Sequence, residues 1–292
     1  MKIKNTFGHE GALWLTNLQE LLESVLHKWQ MTMIGPVKNL SYNYVAKVAD
    51  SNGKPYILKI GVLRNEFENE LQTLQAYAGK GCAALIKQDA ANRAMLLEHV
   101  IPGKMLSEIE DETVVMEHYL NVWKEIRRPL EENGTPAIAE WFQGLKKYLR
   151  NFPNGDGPIS NKSIDLAEES FDYVMDTSVG GELLHGDLHH ENILFSKEKG
   201  WLAIDPKGVI GDRYFDLVSF LINQLHSKAY PKEILKLRVD IICEQLKLDR
   251  NRLLKAAIAM GTLSACWSIE GNDSNWENTY RCVGWFADFL QE

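Results

Sequence analysis

The 292-residue chain reads as an α+β protein in two unequal parts, a small β-rich N-terminal lobe and a larger, mainly helical C-terminal lobe. Three observations predict this. Short runs of alternating apolar and polar residues recur between residues 42 and 98, with one helix-like segment among them. Helical periodicity dominates from about residue 104 onward. The two regimes meet at Ile101-Pro102-Gly103, a pair of strong backbone punctuators. The expected division is a small lobe over 1–98, a hinge over 99–103 and a large lobe over 104–292. A composition of 45% hydrophobic and 25% charged residues supplies ample core for either part.

The elements follow in order. Leu15, Leu18, Leu22, Val25, Leu26 and Trp29 recur at helical spacing, predicting a leading helix over 11–29. Tyr42, Tyr44, Ala46 and Val48 alternate with polar residues as a strand. Asp50-Ser51-Asn52-Gly53 is a hairpin turn, and Tyr56 to Ile60 is the return strand. Glu66 to Tyr77 reads as a helix, and Ala84 to Gln88 and Ala94 to Glu98 as two further strands. Beyond the hinge, helical patterns cover 114–130, 138–149 and 164–175, with a turn-rich loop over 151–158. A hairpin follows: Ile193-Leu194-Phe195, a polar turn ending at Gly200, then Trp201 to Ile204. Four more helices are expected at 213–225, 231–246, 250–267 and 275–290.

The most informative segment is His185-Gly186-Asp187-Leu188-His189-His190-Glu191-Asn192, followed across the hairpin by Asp205. One acid stands five residues before an amide, and a second acid closes the far strand. An amide oxygen beside a carboxylate suits a hard cation such as Mg²⁺. Asp187 is then available to take a proton from an attacking hydroxyl. Two other readings exist. The cluster of His185, His189 and His190 suggests a zinc hydrolase, but no further His or Cys pair of suitable spacing is present. Asp187 as a simple cap ignores the accompanying Asn192 and Asp205.

The spacing from Asp187 to Asn192 is that of the kinase catalytic loop, with glycine where that loop carries arginine. On these residues the chain resembles the protein-kinase-like phosphotransferases. With Asp205-Pro206-Lys207 and Gly211-Asp212 it is similar to the aminoglycoside phosphotransferase family. The runs from Trp201 to Asn223 and around Ala265-Cys266-Trp267-Ser268 resemble its streptomycin kinase and hydroxyurea kinase branch. The resemblance spans most of the chain and is thinnest between 105 and 180. It implies a bilobal protein-kinase-like fold, an active site between the lobes, and ATP and Mg²⁺ as the working pair. It assigns Asp187 to the nucleophile's hydroxyl, Asn192 and Asp205 to metal, and Lys59 to the α- and β-phosphates. Glu70 is the expected partner of Lys59, with Glu66 as the alternative. The backbone around Glu98, His99 and Val100 would take adenine. His185 and Asp216 would brace the catalytic loop.

One stretch departs from the pattern. Asn39 to Val45, where a phosphate-covering loop belongs, contains no glycine. Ser41 and Asn43 are the candidate phosphate donors there, and an ordinary turn is the competing reading. Lys207 either assists the transferring phosphate or covers the site. No G-x-x-x-x-G-K-[ST] segment exists.

The acceptor is expected to be small. Only Pro206 to Arg213 separates Asp205 from the next helix, too short for a peptide-docking platform. The net charge of −8 disfavours a long nucleic-acid interface and favours a cationic ligand. Residues 267–292 hold five acids against one base, so Glu270 and Asp273 are the candidate contacts for a cationic acceptor. A solvated acidic face is the plainer alternative, as is a core role for Trp267 and Trp276. No membrane-spanning run or secretory pattern is seen, and four unpaired-looking cysteines suit a reducing, cytoplasmic setting.

Overall fold

Helical periodicity at the N-terminus produces α1 (Lys2–Trp29), longer than the expected 11–29 and broken at Gly8, whose φ of 52° and ψ of −126° interrupt the helix. The structure is a computed structural model that describes residues 2–37, 43–129 and 135–292. It groups into two compact units, Met1–Lys104 with Leu194–Lys207 and Met105–Ile193 with Gly208–Glu292.

In the first unit, α1 is followed by β1 (Thr32–Pro36), β2 (Tyr44–Ala49), β3 (Pro55–Ile60), α2 (Arg64–Tyr77), β4 (Leu85–Asp89) and β5 (Ala94–Glu98). The strands form one antiparallel sheet in the order β1-β2-β3-β5-β4. Strand β1 was not expected, because its Thr-Met-Ile-Gly-Pro sequence lacks alternation. It is an edge strand with a register shift between Met33 and Gly35, a position where Gly and Pro are tolerated. The β2–β3 turn forms as expected: Asp50 Oδ1 accepts from Asn52 N (2.9 Å) and Lys54 N (3.0 Å), and Gly53 supplies a φ of 78°.

Side-chain alternation along β3 decides what the sheet carries. Leu58 and Ile60 face α1 and share a core with Trp14, Val25, Trp29, Val48 and Leu96. Each such fully buried aliphatic contributes roughly 1.5–3 kcal/mol. Lys59 points to the opposite face, where α2 covers it. Covering both faces is why the last three residues of β3 are all buried. A short strand, β6 (Pro102–Met105), ends this part of the chain.

The second unit continues with α3 (Glu112–Ile126), β7 (Arg128–Pro129), α4 (Ile138–Asn151), α5 (Asn161–Asp176) and β8 (Glu182–Leu184). Helix α3 stops short of the expected 130. Arg128 precedes Pro129, which disfavours helical geometry, and Arg127 already turns extended at ψ 131°. Next in the chain come β9 (Ile193–Ser196) and β10 (Gly200–Ala203), the expected hairpin, which from Leu194 onward groups with the first unit. They are neighbours in a small sheet ordered β10-β9-β6. The chain then forms β11 (Val209–Gly211), α6 (Val218–Ile222), α7 (Pro231–Leu246), α8 (Arg250–Glu270) and α9 (Trp276–Phe289). Strand β8 pairs with both β7 and β11 and delivers the chain to His185.

Two helices explain how this unit holds together. Helix α8 is buried around most of its circumference, from Leu253 to Cys266, as a helix apolar on all sides must be. The segment expected as one helix over 213–225 is instead broken. A 3₁₀ turn at Phe215–Leu217 leads into α6, and the chain leaves it at Asn223 and Gln224, the latter at φ 64°. The cause is Arg238 of α7. Its guanidinium donates to the carbonyls of Phe220 (3.0 Å), Leu221 (3.0 Å) and Asn223 (2.7 Å). Those carbonyls no longer need a continued helix.

Candidate functional site

The expected residues fall into two clusters, one in each unit. In the first unit, the side chain of Lys59 is 6% exposed and its Nζ lies 2.7 Å from Glu70. Glu70, rather than Glu66, is therefore the helical acid bonded to the strand lysine. Lys59 also pairs directly with Asp205 Oδ1, and Lys207 Nζ donates to Asp205 Oδ2 at 2.9 Å. Burial works against a charged Lys59, but Asp205 and Glu70 more than offset it and hold its pKa above the ordinary lysine value. Burial likewise opposes ionisation of Asp205, yet the two lysines keep it well below the usual carboxylate range. Asp205 sits at φ 58°, a left-handed conformation that is uncommon for a residue other than glycine. Such backbone strain clusters where a side chain must be aimed.

Around the first unit's chain exit, Glu98 bonds Ala84 N through Oε2 (3.0 Å) and pairs with Lys199 at 2.7 Å. Val100 is buried in an apolar cluster with Ala83 and Leu202, against which Leu194 and Ile204 pack. Asn43 Oδ1 accepts from Val62 N at 3.4 Å. Ser41, the other residue expected to contact phosphate, lies outside the described residues.

The second cluster is the loop 185–192. His185 is fully buried, and its Nδ1 accepts from Asp187 N at 3.2 Å. Gly186 adopts φ 79°, which only glycine takes readily, and donates its N–H to Asp216 Oδ1 at 2.8 Å. Asp216 is buried, and burial pushes its pKa up to about 6 although the Gly186 and His185 amides pull downward. Asn192 Nδ2 donates to the Asp187 carbonyl at 2.9 Å. That bond fixes the amide's orientation and turns Oδ1 to the other side, as a hard-cation ligand requires. The Asp187 carboxylate is about one-third exposed, with His189 Nε2 at 3.7 Å.

Sequence reasoning read His189 and His190 only as possible metal ligands and did not single out Glu191, Gln224, Arg238 or Glu112 behind this loop. His189 Nδ1 lies 2.9 Å from Glu191 Oε2. Burial pulls Glu191 upward, but His189 and the Gln224 amide bring its pKa down to about 2. His190 stacks on Phe220 at 4.3 Å and takes a hydrogen bond from Arg238 Nη2 at 3.2 Å. Burial, followed by the Arg238 charge, brings its pKa down to about 3, so it stays neutral. Arg238 itself is fully buried and bonds Glu112 at 2.5 Å. The visible signal was one arginine on the apolar stripe Leu235, Val239 and Ile242 of α7.

Within the second unit, a cavity of about 340 Å³ opens beside Asp187 and His189 and is walled by α9 and the chain around α6. Glu270 and Asp273 are not on it. Glu270 is paired with Lys147, and Asp273 Oδ1 accepts from the Asn275 backbone N–H (2.9 Å) and side-chain amide (3.1 Å). Trp267, about one-third exposed, meets Trp141 edge-on at 5.6 Å. Among the described residues, no group of three or more His, Cys, Asp or Glu is placed to hold a metal ion. No helix among them is long and apolar enough to cross a membrane.

Comparison with known proteins gives this arrangement a family. Residues 28–271 match the model of the aminoglycoside/hydroxyurea antibiotic resistance kinases, and the chain belongs to that family. It is an enzyme of the small-molecule phosphotransferase class. It is 26% identical over 266 residues to streptomycin 6-kinase of Streptomyces griseus, covering 90% of this chain and 87% of that protein. It is also 26% identical over 276 residues to hydroxyurea phosphotransferase of Kitasatospora aureofaciens, covering 91% and 77% respectively. The fold is that of choline kinase LicA from Streptococcus pneumoniae, with a TM-score of 0.66 at 16% identity over 93% of this chain and 99% of that one. The fold is thus the protein-kinase-like α+β architecture expected from the catalytic segment.

Proposed function

We propose that this chain transfers the γ-phosphoryl of ATP to a hydroxyl of a small molecule, with a streptomycin-type aminoglycoside as the first acceptor class to test. The observation that carries the reading is the loop 185–192. It presents the Asp187 carboxylate on a backbone held by Asp216, His185 and Asn192. Asp187 orients the acceptor hydroxyl and takes its proton as the bond forms. Lys59, fixed by Glu70, neutralises the α- and β-phosphates. Glu98 and Val100 mark the backbone that takes the base, beside the apolar cluster of Ala83 and Leu202. Ser41 and Asn43 remain the proposed donors to phosphate. Asn192 ends immediately before β9 and Asp205 follows just after β10. Their hard oxygen donors fit Mg²⁺, which when bound supplies charge neutralisation along the phosphates. Lys207 keeps Asp205 ionised from its other oxygen. The small N-terminal lobe is thus the nucleotide-binding part and the helical lobe the acceptor-binding part, joined at 99–103.

The relatives carry two acceptor chemistries, streptomycin and hydroxyurea, and other small hydroxylated antibiotics or metabolites remain within the class. Phosphorylation of an antibiotic's hydroxyl would inactivate it. The test is a coupled ATP-consumption screen over aminoglycosides, hydroxyurea, sugars and amino alcohols, with mass spectrometry of the product. The expected result is one acceptor gaining the mass of a phosphoryl group. ATP hydrolysis without a phosphorylated product from any acceptor would overturn the proposal.

A further inference from the structure

Helix α9 and its preceding residue present one continuous stripe to the cavity beside Asp187. Asn275, Asn278, Thr279 and Trp285 recur at the spacing of a single helix face. The stripe offers amides, a hydroxyl and one aromatic face, and it carries no carboxylate. Among the described residues, the only acid lining the cavity is Asp187, and the only lysine or arginine there is Arg281. Arg281 forms no ion pair among the described residues. Four of the five acids of residues 267–292 are engaged elsewhere, and the fifth, Glu277, is exposed and does not line the cavity. Glu270 pairs with Lys147, Asp288 with Lys232 and Glu292 with Lys236. Asp273 is held in the turn before α9. None of these five acids is therefore on the cavity wall.

A binding wall for a polycation needs several carboxylates, because each ammonium or guanidinium loses hydration on entry. This wall has none. Amides and hydroxyls match the donors and acceptors of sugar hydroxyls, and an aromatic face accepts the apolar face of a saturated ring. We propose that the part of the acceptor held against α9 is an uncharged polyhydroxylated ring, and that Arg281 is a specificity determinant that turns cationic substituents out of the cavity. The inference rests on the phosphotransferase reading of Asp187.

Arg281→Glu changes the cavity charge without touching the catalytic loop, and Arg281→Gln removes the charge alone. The probes are streptomycin, as the cationic ligand, and uncharged sugars and cyclitols. Each is read as a KM where it is phosphorylated and as an inhibition constant where it is not. Arg281→Glu should tighten streptomycin at least about tenfold, with Arg281→Gln intermediate. The values for uncharged rings should move less than about threefold. Streptomycin constants unchanged or weakened in both variants would overturn the inference while leaving the phosphotransferase reading intact. Phosphorylation that persists in Asp187→Ala would remove that reading instead. Equal tightening of streptomycin and uncharged rings would also overturn the charge assignment, since it would report reshaping of the cavity.

Discussion

The Lys59 cluster and the 185–192 loop are stabilised by different physics. Lys59, Glu70, Asp205 and Lys207 are held by charge against charge, with Lys59 and Glu70 almost fully buried. The loop that presents Asp187 is held by directed hydrogen bonds, from Gly186 N–H to the Asp216 carboxylate, from Asp187 N–H to His185 Nδ1 and from the Asn192 amide to the Asp187 carbonyl. The ionic cluster suits a task of balancing phosphate charge, since its members can exchange partners when an anion arrives. The loop suits a task of fixing one carboxylate, since hydrogen bonds with defined angles tolerate little displacement. The loop's charged support, Arg238 and Glu112, sits one layer back.

This contrast predicts how each cluster breaks. Removing the strained Asp205 carboxylate should cost the most. Asp205→Ala is expected to lower kcat/KM by about 10³-fold, roughly 4 kcal/mol of transition-state stabilisation. It should also weaken Mg·ATP binding by titration calorimetry, and normal binding would place Asp205 outside the nucleotide site. Fold stability is the next readout. Arg238→Met leaves three carbonyls and His190 without their donor and Glu112 with Lys228 alone, and should destabilise the protein by about 3 kcal/mol in denaturant titration. Arg238→Lys should recover only part of this, because an ammonium lacks the fork geometry.

Acid titration sharpens the comparison further. His190, brought down to about 3, binds fewer protons folded than unfolded between its two pKa values. Stability from this residue is therefore full above about pH 6.5 and is lost as pH falls toward 3. Asp216, raised to about 6, has the opposite sign: the folded state binds more protons, and stability declines as pH rises from about 4 to 6. The two partly cancel in the wild-type chain. His190→Gln should remove one of them, so its stability deficit should shrink by about 2 kcal/mol between pH 6.5 and 4.5. A pH-independent deficit would place the His190 imidazole in contact with water. The smallest effect is expected at Glu270→Gln. Its carboxylate is exposed and paired with Lys147, and KM for any cationic acceptor should move by less than about twofold. A larger rise would return Glu270 to acceptor recognition.

How much of this was legible follows the same contrast. Asp187, Asn192 and the hairpin after them were legible because their relation is local, fixed by five residues of spacing and one turn. Lys59 and Glu70 stand 11 residues apart on a strand and the helix that follows it, so pattern reached them too. Arg238 was not legible: it acts on His190, 48 residues before it, and on Glu112, 126 residues before it. The acidic run after residue 267 suggested a cation site because the lysines that occupy it, 147, 232 and 236, come from other helices. The strands β7, β8 and β11, of two or three residues, are too short for alternation to show, and β1 lacks alternation and ends in proline. Pattern marked the long helices and the strands flanked by turn residues, while tertiary partners decided where they stopped.

The role proposed for Asp187 is to act on the acceptor hydroxyl from a fixed loop rather than to bind nucleotide. Asp187→Asn keeps the side chain's size and leaves the bonds from Asn192 and to His185 on the backbone. Measured side by side, its affinity for Mg·ATP should stay within about threefold of wild type, while acceptor phosphorylation falls by about 10³-fold. Retained phosphorylation, or loss of nucleotide binding in equal measure, would contradict the assignment.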